Sequence, residues 1–108
     1  MIHDYSLPLL ALLVFAMPLV SADELDGETL VEAKRCVACH ELKRTLIGPS
    51  YEAIAARHSA NRHLMVEVLA QKIIVGGAGN WGVVPMVPNE HVSLEEARVI
   101  ARWILSLQ

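Results

Sequence analysis

The chain has 108 residues, of which 54% are hydrophobic, and a formal net charge of −3. This length is typical of one compact domain and excludes a multidomain enzyme. Because nine Lys and Arg stand against twelve Asp and Glu, no basic excess indicates a protein that binds nucleic acid.

An uncharged, apolar run extends from Leu7 to Val20 near the start of the chain. It is shorter than the roughly 20 residues that a membrane-spanning helix needs. A small-residue cleavage pattern follows and ends at Ala22, so we expect residues 1–22 to be a secretory signal peptide and residues 23–108 to be the mature domain in the periplasm. The first six residues contain no Lys or Arg, which leaves an uncleaved membrane anchor as the alternative.

Helix signals recur along the mature part of the chain. Asp26 is a candidate N-cap before GETLVEAKR, the Ala-rich stretch SYEAIAARH favours a second helix, and a third begins at Asn61 and ends before Gly76. Ser93 and Glu96 form a capping box that opens a last helix. Residues 76–92 hold four of the six glycines, and no segment alternates as a strand does. The sequence therefore predicts an all-α domain of three or four helices with one long loop.

The pentapeptide CVACH places Cys36, Cys39 and His40 in the C-x-x-C-H pattern of c-type haem attachment. Two thiols at this spacing can add to the two vinyl groups of one porphyrin edge, while the adjacent histidine binds the iron. A thioredoxin-like dithiol would need a βαβ context, and a structural zinc site would need a second pair of ligands. The chain has no other cysteine, so covalent haem is favoured over a thiol-redox or zinc module.

The sixth position of the iron has five candidates after this motif: Met65, Met86, His58, His63 and His91. Met65 falls on the apolar stripe of the predicted third helix, where methionine is usually a core residue. Met86 lies between two prolines in the long loop, and their stiffness lowers the entropic cost of holding a weak thioether ligand. Met86 is therefore favoured, with His91 as the substitute.

Four motifs, in the same order along the chain, resemble those of class I cytochromes c. They are CVACH, IGPSY at 47–51, WGVVPMVPN at 81–89 and ARWILS at 101–106. The similarity is greatest to the short bacterial monohaem proteins of the periplasm, some of which donate electrons to nitrite reductase. It implies a fold in which helices surround one haem and a long methionine loop closes the far side.

The resemblance also implies roles for the residues of the motifs. Cys36 and Cys39 would form the thioether bonds to a single haem c, and His40 and Met86 would be the axial ligands. The carbonyl of Pro49 would accept a hydrogen bond from Nδ1 of His40, which fixes the orientation of the ring.

Three further residues would lie around the haem by the same resemblance. Trp81 and Lys72 would contact a haem propionate, although packing for Trp81 and a solvated helix face for Lys72 are the alternatives. Asn89 would place its amide near the Met86 sulfur, or would serve only as a turn residue after a proline.

Two positions depart from the family pattern. Val31 stands near the place of an aromatic residue on the first helix that would meet Trp103 on the last helix. Arg35 precedes the first cysteine, where close relatives often have glycine. Neither position is expected to touch the iron.

These features together imply a monomeric one-electron carrier in the periplasm rather than an enzyme. Its partners would be redox proteins, with no nucleic acid and with a membrane only if the leader is uncleaved. A haem sensor or weak peroxidase with an open or displaceable sixth ligand is the alternative. Four cations flank CVACH and could orient a partner at the haem edge: Lys34, Arg35, Lys43 and Arg44.

Overall fold

The computed structural model describes residues 2–4, 6, 8–18 and 25–108. Within these ranges the chain forms four α-helices and one short antiparallel hairpin. In chain order the elements are α1 (Gly27–Ala33), a 3₁₀ turn (Cys36–Ala38), α2 (Tyr51–Arg57), α3 (Arg62–Val75), β1 (Gly77–Gly79), β2 (Gly82–Met86) and α4 (Leu94–Ser106).

Three of the helices begin at a polar side chain that caps the first turn. The Asp26 carboxylate accepts the backbone N–H of Thr29 at 2.7 Å, and the Ser50 hydroxyl caps α2 in the same way. At the start of α4, Ser93 and Glu96 form the reciprocal capping box that the sequence predicts. The predicted starts of α1 and α4 are thus confirmed, since each depends on a local backbone interaction.

The hydrophobic core lies where α4 packs against α1, α2 and α3. Leu30 of α1 and Ile100 of α4 are its largest fully buried side chains. Gly27 permits the crossing of α1 over α4, because a Cβ atom there would lie 2.0 Å from the Cβ of Trp103. The edge of the Tyr51 ring meets Trp103 at a centroid distance of 5.2 Å. Tyr51 thereby supplies the aromatic contact that Val31 on α1 does not.

The hairpin corrects the prediction that residues 76–92 contain no strand. Its register pairs Gly77 with Met86 and Gly79 with Gly82. Both strands are short and exposed, so their sequences lack the alternation that marks a half-buried strand. Positive φ angles at Gly79 and Gly82, 103° and 107°, allow the tight reversal. The all-α class is still correct, since the hairpin is a small part of the domain.

The described residues before Leu25 belong to no helix or strand and are solvent-exposed. The cleavage pattern predicted to end at Ala22 lies outside the described residues. Across the described ranges, no helix combines the length and the apolar character that crossing a bilayer requires.

The close approach at Gly27 predicts that Gly27→Ala destabilises the fold, although alanine normally favours a helix over glycine. The added methyl group would meet Trp103 and the carbonyl oxygen of Val99, and such overpacking costs about 1–3 kcal/mol. Denaturant unfolding of the haem-loaded protein would measure the change. Glu32→Ala, at an exposed position of the same helix, is the control and should stay within about 0.5 kcal/mol of the native protein. A Gly27→Ala variant as stable as the native protein would contradict this account of the helix crossing.

Candidate haem site

The turn after α1 brings the two cysteines and the histidine of CVACH to one side of a cavity. Backbone N–H groups of Cys39 and His40 both donate to the carbonyl of Cys36, at 3.1 and 3.0 Å, which closes the tight turn. Both cysteines are half-buried and form no disulfide with each other, and burial raises the pKa of the Cys36 thiol. Two unpaired thiols on one turn that faces a large cavity fit the chemistry of attachment to a porphyrin edge.

The ring of His40 is held by three neighbours. Its Nδ1 lies 2.7 Å from the carbonyl oxygen of Pro49, so Nδ1–H donates and Nε2 keeps its lone pair. The Tyr51 ring stacks on it at a centroid distance of 5.7 Å. Gly48 leaves room for the imidazole, because a Cβ atom there would lie 2.5 Å from its Cε1. The expected hydrogen bond to Pro49 is therefore present, and it leaves one nitrogen free to bind a metal.

A cavity of about 1040 Å³ separates this turn from the hairpin, and Met86 lines it together with Cys36, Cys39 and His40. Its volume is at the upper end of the range for cofactor pockets. The imidazole and the thioether thus share one mostly apolar cavity with the two thiols. This donor set fits a covalently attached haem with two axial ligands.

Two histidines that the sequence offered as sixth ligands are disfavoured by their settings. His63 does not line the cavity. His91 does, but its Nε2 lies 2.9 Å from the carbonyl oxygen of Lys34 and is engaged there. Met65 and His58 also line the cavity and have no such constraint. Met86 ends β2, where Gly77 of β1 pairs with it and where Gly76 leaves room for its carbonyl oxygen.

The remaining predicted residues lie along the other end of the cavity. Trp81 stands in the hairpin turn and is 45% exposed, and Lys72 of α3 reaches toward Gly77 in β1. The side-chain amide of Asn89 donates to the carbonyls of Ile73 at 2.9 Å and Val87 at 3.3 Å. These hydrogen bonds anchor the loop to α3, which agrees with the turn-residue alternative for Asn89.

Sequence reasoning missed Arg57, the last residue of α2. Its guanidinium lies over the Trp81 ring, 4.6 Å from the centroid, and donates to the carbonyl of Asn80. Arg57 also lines the cavity. No sequence signal joins residues that are more than 20 positions apart on a helix end and a hairpin turn.

The cytochrome c family model matches residues 25–108 of this chain. The chain is 43% identical over 82 residues to cytochrome c-551 of Pseudomonas denitrificans, which covers 76% of this chain and 98% of that protein. It is 46% identical over 82 residues to cytochrome c-552 of Hydrogenobacter thermophilus. That alignment covers 76% of this chain and 82% of that protein. The crystal structure of Nitrosomonas europaea cytochrome c552 superposes with a TM-score of 0.72 at 37% identity, covering 75% of this chain and 99% of that chain.

The chain therefore belongs to the cytochrome c family and has the class I cytochrome c fold. Within that family it is a small bacterial c-type cytochrome, an electron carrier with one haem c bound covalently through Cys36 and Cys39.

Proposed function

We propose that this protein is a periplasmic one-electron carrier whose haem iron is bound by His40 and Met86. It shuttles electrons between respiratory-chain donors and a terminal reductase or oxidase, as a monomer that meets redox proteins and no nucleic acid. The observation that carries the proposal is the arrangement of the two side chains. His40 has its Nδ1 committed to Pro49, and Met86 lines the same cavity at the end of β2.

The two ligands are held by different parts of the fold, and this suits a carrier. His40 is fixed by the turn after α1 and by Pro49 just before α2, whereas Met86 is fixed by the pairing of β2 with β1. Bound haem supplies an iron that alternates between the ferrous and ferric states. A chain that keeps both side chains in place through that change would need little rearrangement, and an iron bound by both His40 and Met86 would have no open position for a substrate.

The apolar lining of the cavity favours the reduced state. Most of the surface inside it belongs to hydrophobic side chains such as Ile54, Val68 and Ile104. A low-polarity shell disfavours the extra positive charge of ferric iron, and a thioether ligand acts in the same direction. Both features suit a carrier that accepts electrons from the quinol side of a respiratory chain.

Met86→Ala tests the assignment of the sixth ligand. The variant should stay folded and coloured but lose the charge-transfer band of the ferric methionine–iron bond, and its reduced form should bind carbon monoxide at neutral pH. Its potential should fall if an imidazole takes the free site. Met65→Leu is the matched control, since Met65 also lines the cavity, and it should keep the band and the potential.

A Met86→Ala variant that keeps the band would transfer the role to Met65. Native protein that binds carbon monoxide readily at neutral pH would instead support a haem sensor or weak peroxidase.

We also propose that residues 1–22 are removed on export and that residues 23–108 form the periplasmic domain. The cleavage pattern supports this, and the family match begins only at residue 25. Intact-mass measurement of protein recovered from the periplasm should give a chain that begins at Asp23 and carries one haem. Membrane-bound protein that retains the apolar run would establish the uncleaved anchor.

The charges around CVACH support a docking surface smaller than the sequence implied. Lys34 forms an ion pair with Glu96 at 2.9 Å, and Arg44 pairs with Glu41 at the same distance. Arg35 and Lys43 take part in none of the ion pairs between described residues. We propose that these two cations, beside the exposed apolar Val37, orient partners toward the attached haem edge.

Lys43→Glu should lower the rate of electron transfer to an anionic oxidant without changing the reduction potential. With hexacyanoferrate(III) in stopped-flow mixing, we expect a decrease by roughly a factor of two to five at low salt, because reversing one charge weakens the attraction at close range. The difference should shrink as the screening length falls to about 3 Å at 1 M salt. Arg102→Glu on exposed α4 is the control for net charge. An equal effect of both variants would contradict a localised docking surface.

A further inference from the structure

Arg57 connects the end of α2 to the hairpin turn on the far side of the cavity. One of its guanidinium nitrogens donates to the carbonyl of Asn80, and the guanidinium plane covers the Trp81 ring at 4.6 Å. A guanidinium over an indole gains a cation–π attraction that is strongest for tryptophan. Two different contacts from one side chain thus fix both the backbone and the ring of the turn.

The charge of Arg57 is not balanced by a carboxylate. None of the four ion pairs between described residues includes it. The cavity is lined by four permanent cations, Lys34, Arg35, Arg57 and Lys72, and by no Asp or Glu among the described residues. This imbalance is notable in a chain with more acids than bases. The cavity is therefore complementary to a ligand that carries negative charge.

Arg57 and Lys72 approach the same hairpin from two helices. Lys72 Nζ lies 2.9 Å from where a Cβ atom of Gly77 in β1 would be, and Arg57 contacts the following turn. The haem of a c-type cytochrome carries two propionate carboxylates. The cations of α2 and α3, together with the indole N–H of the hairpin turn between β1 and β2, provide donors for such carboxylates.

We propose that Arg57 is a positioning residue for electron transfer: it holds Trp81 against the haem carboxylates and adds positive charge beside them. The inference rests on the proposed function, because it takes the ligand of the cavity to be the haem of the carrier. A positive charge near the iron disfavours the ferric state, so Arg57 raises the reduction potential. The planar shape of its guanidinium has a separate effect, because it allows the contacts with the Asn80 carbonyl and the Trp81 ring that position the turn.

The two contributions can be separated by two substitutions of Arg57. Arg57→Lys keeps the charge but loses the fork and the stacked plane, and the two residues are not interchangeable at such a site. Arg57→Gln loses the charge as well. Arg102→Gln, at an exposed position on α4 that does not line the cavity, is the matched control for net charge.

Two measurements on the haem-loaded proteins test the proposal. The first is the reduction potential, which should fall in Arg57→Gln by more than in Arg102→Gln and should stay near the native value in Arg57→Lys. The second is the solvent exchange of the Trp81 indole N–H, observed by NMR and assigned with Trp81→Phe. Exchange should be roughly tenfold faster in both Arg57 variants, since each loses a cation–π contact and a hydrogen bond, and unchanged in Arg102→Gln.

The outcomes distinguish failure of this inference from failure of the proposed function. Native protein without covalent haem or without the methionine–iron band would overturn the proposed function. If native protein has both, and the Arg57 variants match the native potential and exchange rate, then Arg57 has no positioning role. A faster exchange with an unchanged potential in Arg57→Gln would also overturn the proposal, because it would reduce Arg57 to a structural contact.

Discussion

The site depends on the hydrogen bond from Nδ1 of His40 to the carbonyl of Pro49, at 2.7 Å. This bond selects the tautomer that leaves Nε2 free, and it sets the direction in which the ring points. Its acceptor is positioned by the start of α2, because Ser50 caps that helix directly after Pro49. Gly48 is the third requirement, since any side chain there would meet the imidazole. The orientation of a metal ligand therefore follows from where a helix begins.

Tyr51 connects this ligand to the helical core. Its ring stacks on His40 at 5.7 Å and meets the Trp103 ring edge-on at 5.2 Å, so one buried side chain touches both the site and the last helix. Burial also raises the pKa of its phenol, which therefore stays neutral. With Val31 on α1, the aromatic contact of Trp103 is the one with Tyr51. Trp103 therefore meets α1 at Gly27, and its aromatic partner comes from α2.

The parts of the molecule that could be predicted are those encoded by neighbouring residues. Caps at Asp26 and Ser93 and the terminating Gly76 each act within one helical turn, so the pattern contains the information. The C-x-x-C-H motif is equally local. The contact of Arg57 with Trp81 could not be predicted, because chain folding and not sequence spacing brings those residues together. The hairpin was missed for a different reason: its exposed, glycine-rich strands need no alternation of apolar and polar residues.

Arg35 combines a strained backbone conformation with a positive charge at the edge of the cavity. Its φ of 66° lies in the left-handed region, which glycine adopts without steric cost. For a residue with a side chain, that conformation costs about 1–2 kcal/mol. The residues on either side of Arg35 hold its backbone in this conformation. Lys34 forms an ion pair with Glu96, and its carbonyl contacts His91. Cys36 begins the 3₁₀ turn that follows. Glycine would relieve the strain, but it would also remove a cation from a cavity whose described lining contains no acid. The strained arginine therefore adds to the same positive field that Arg57 and Lys72 provide from the opposite end of the cavity.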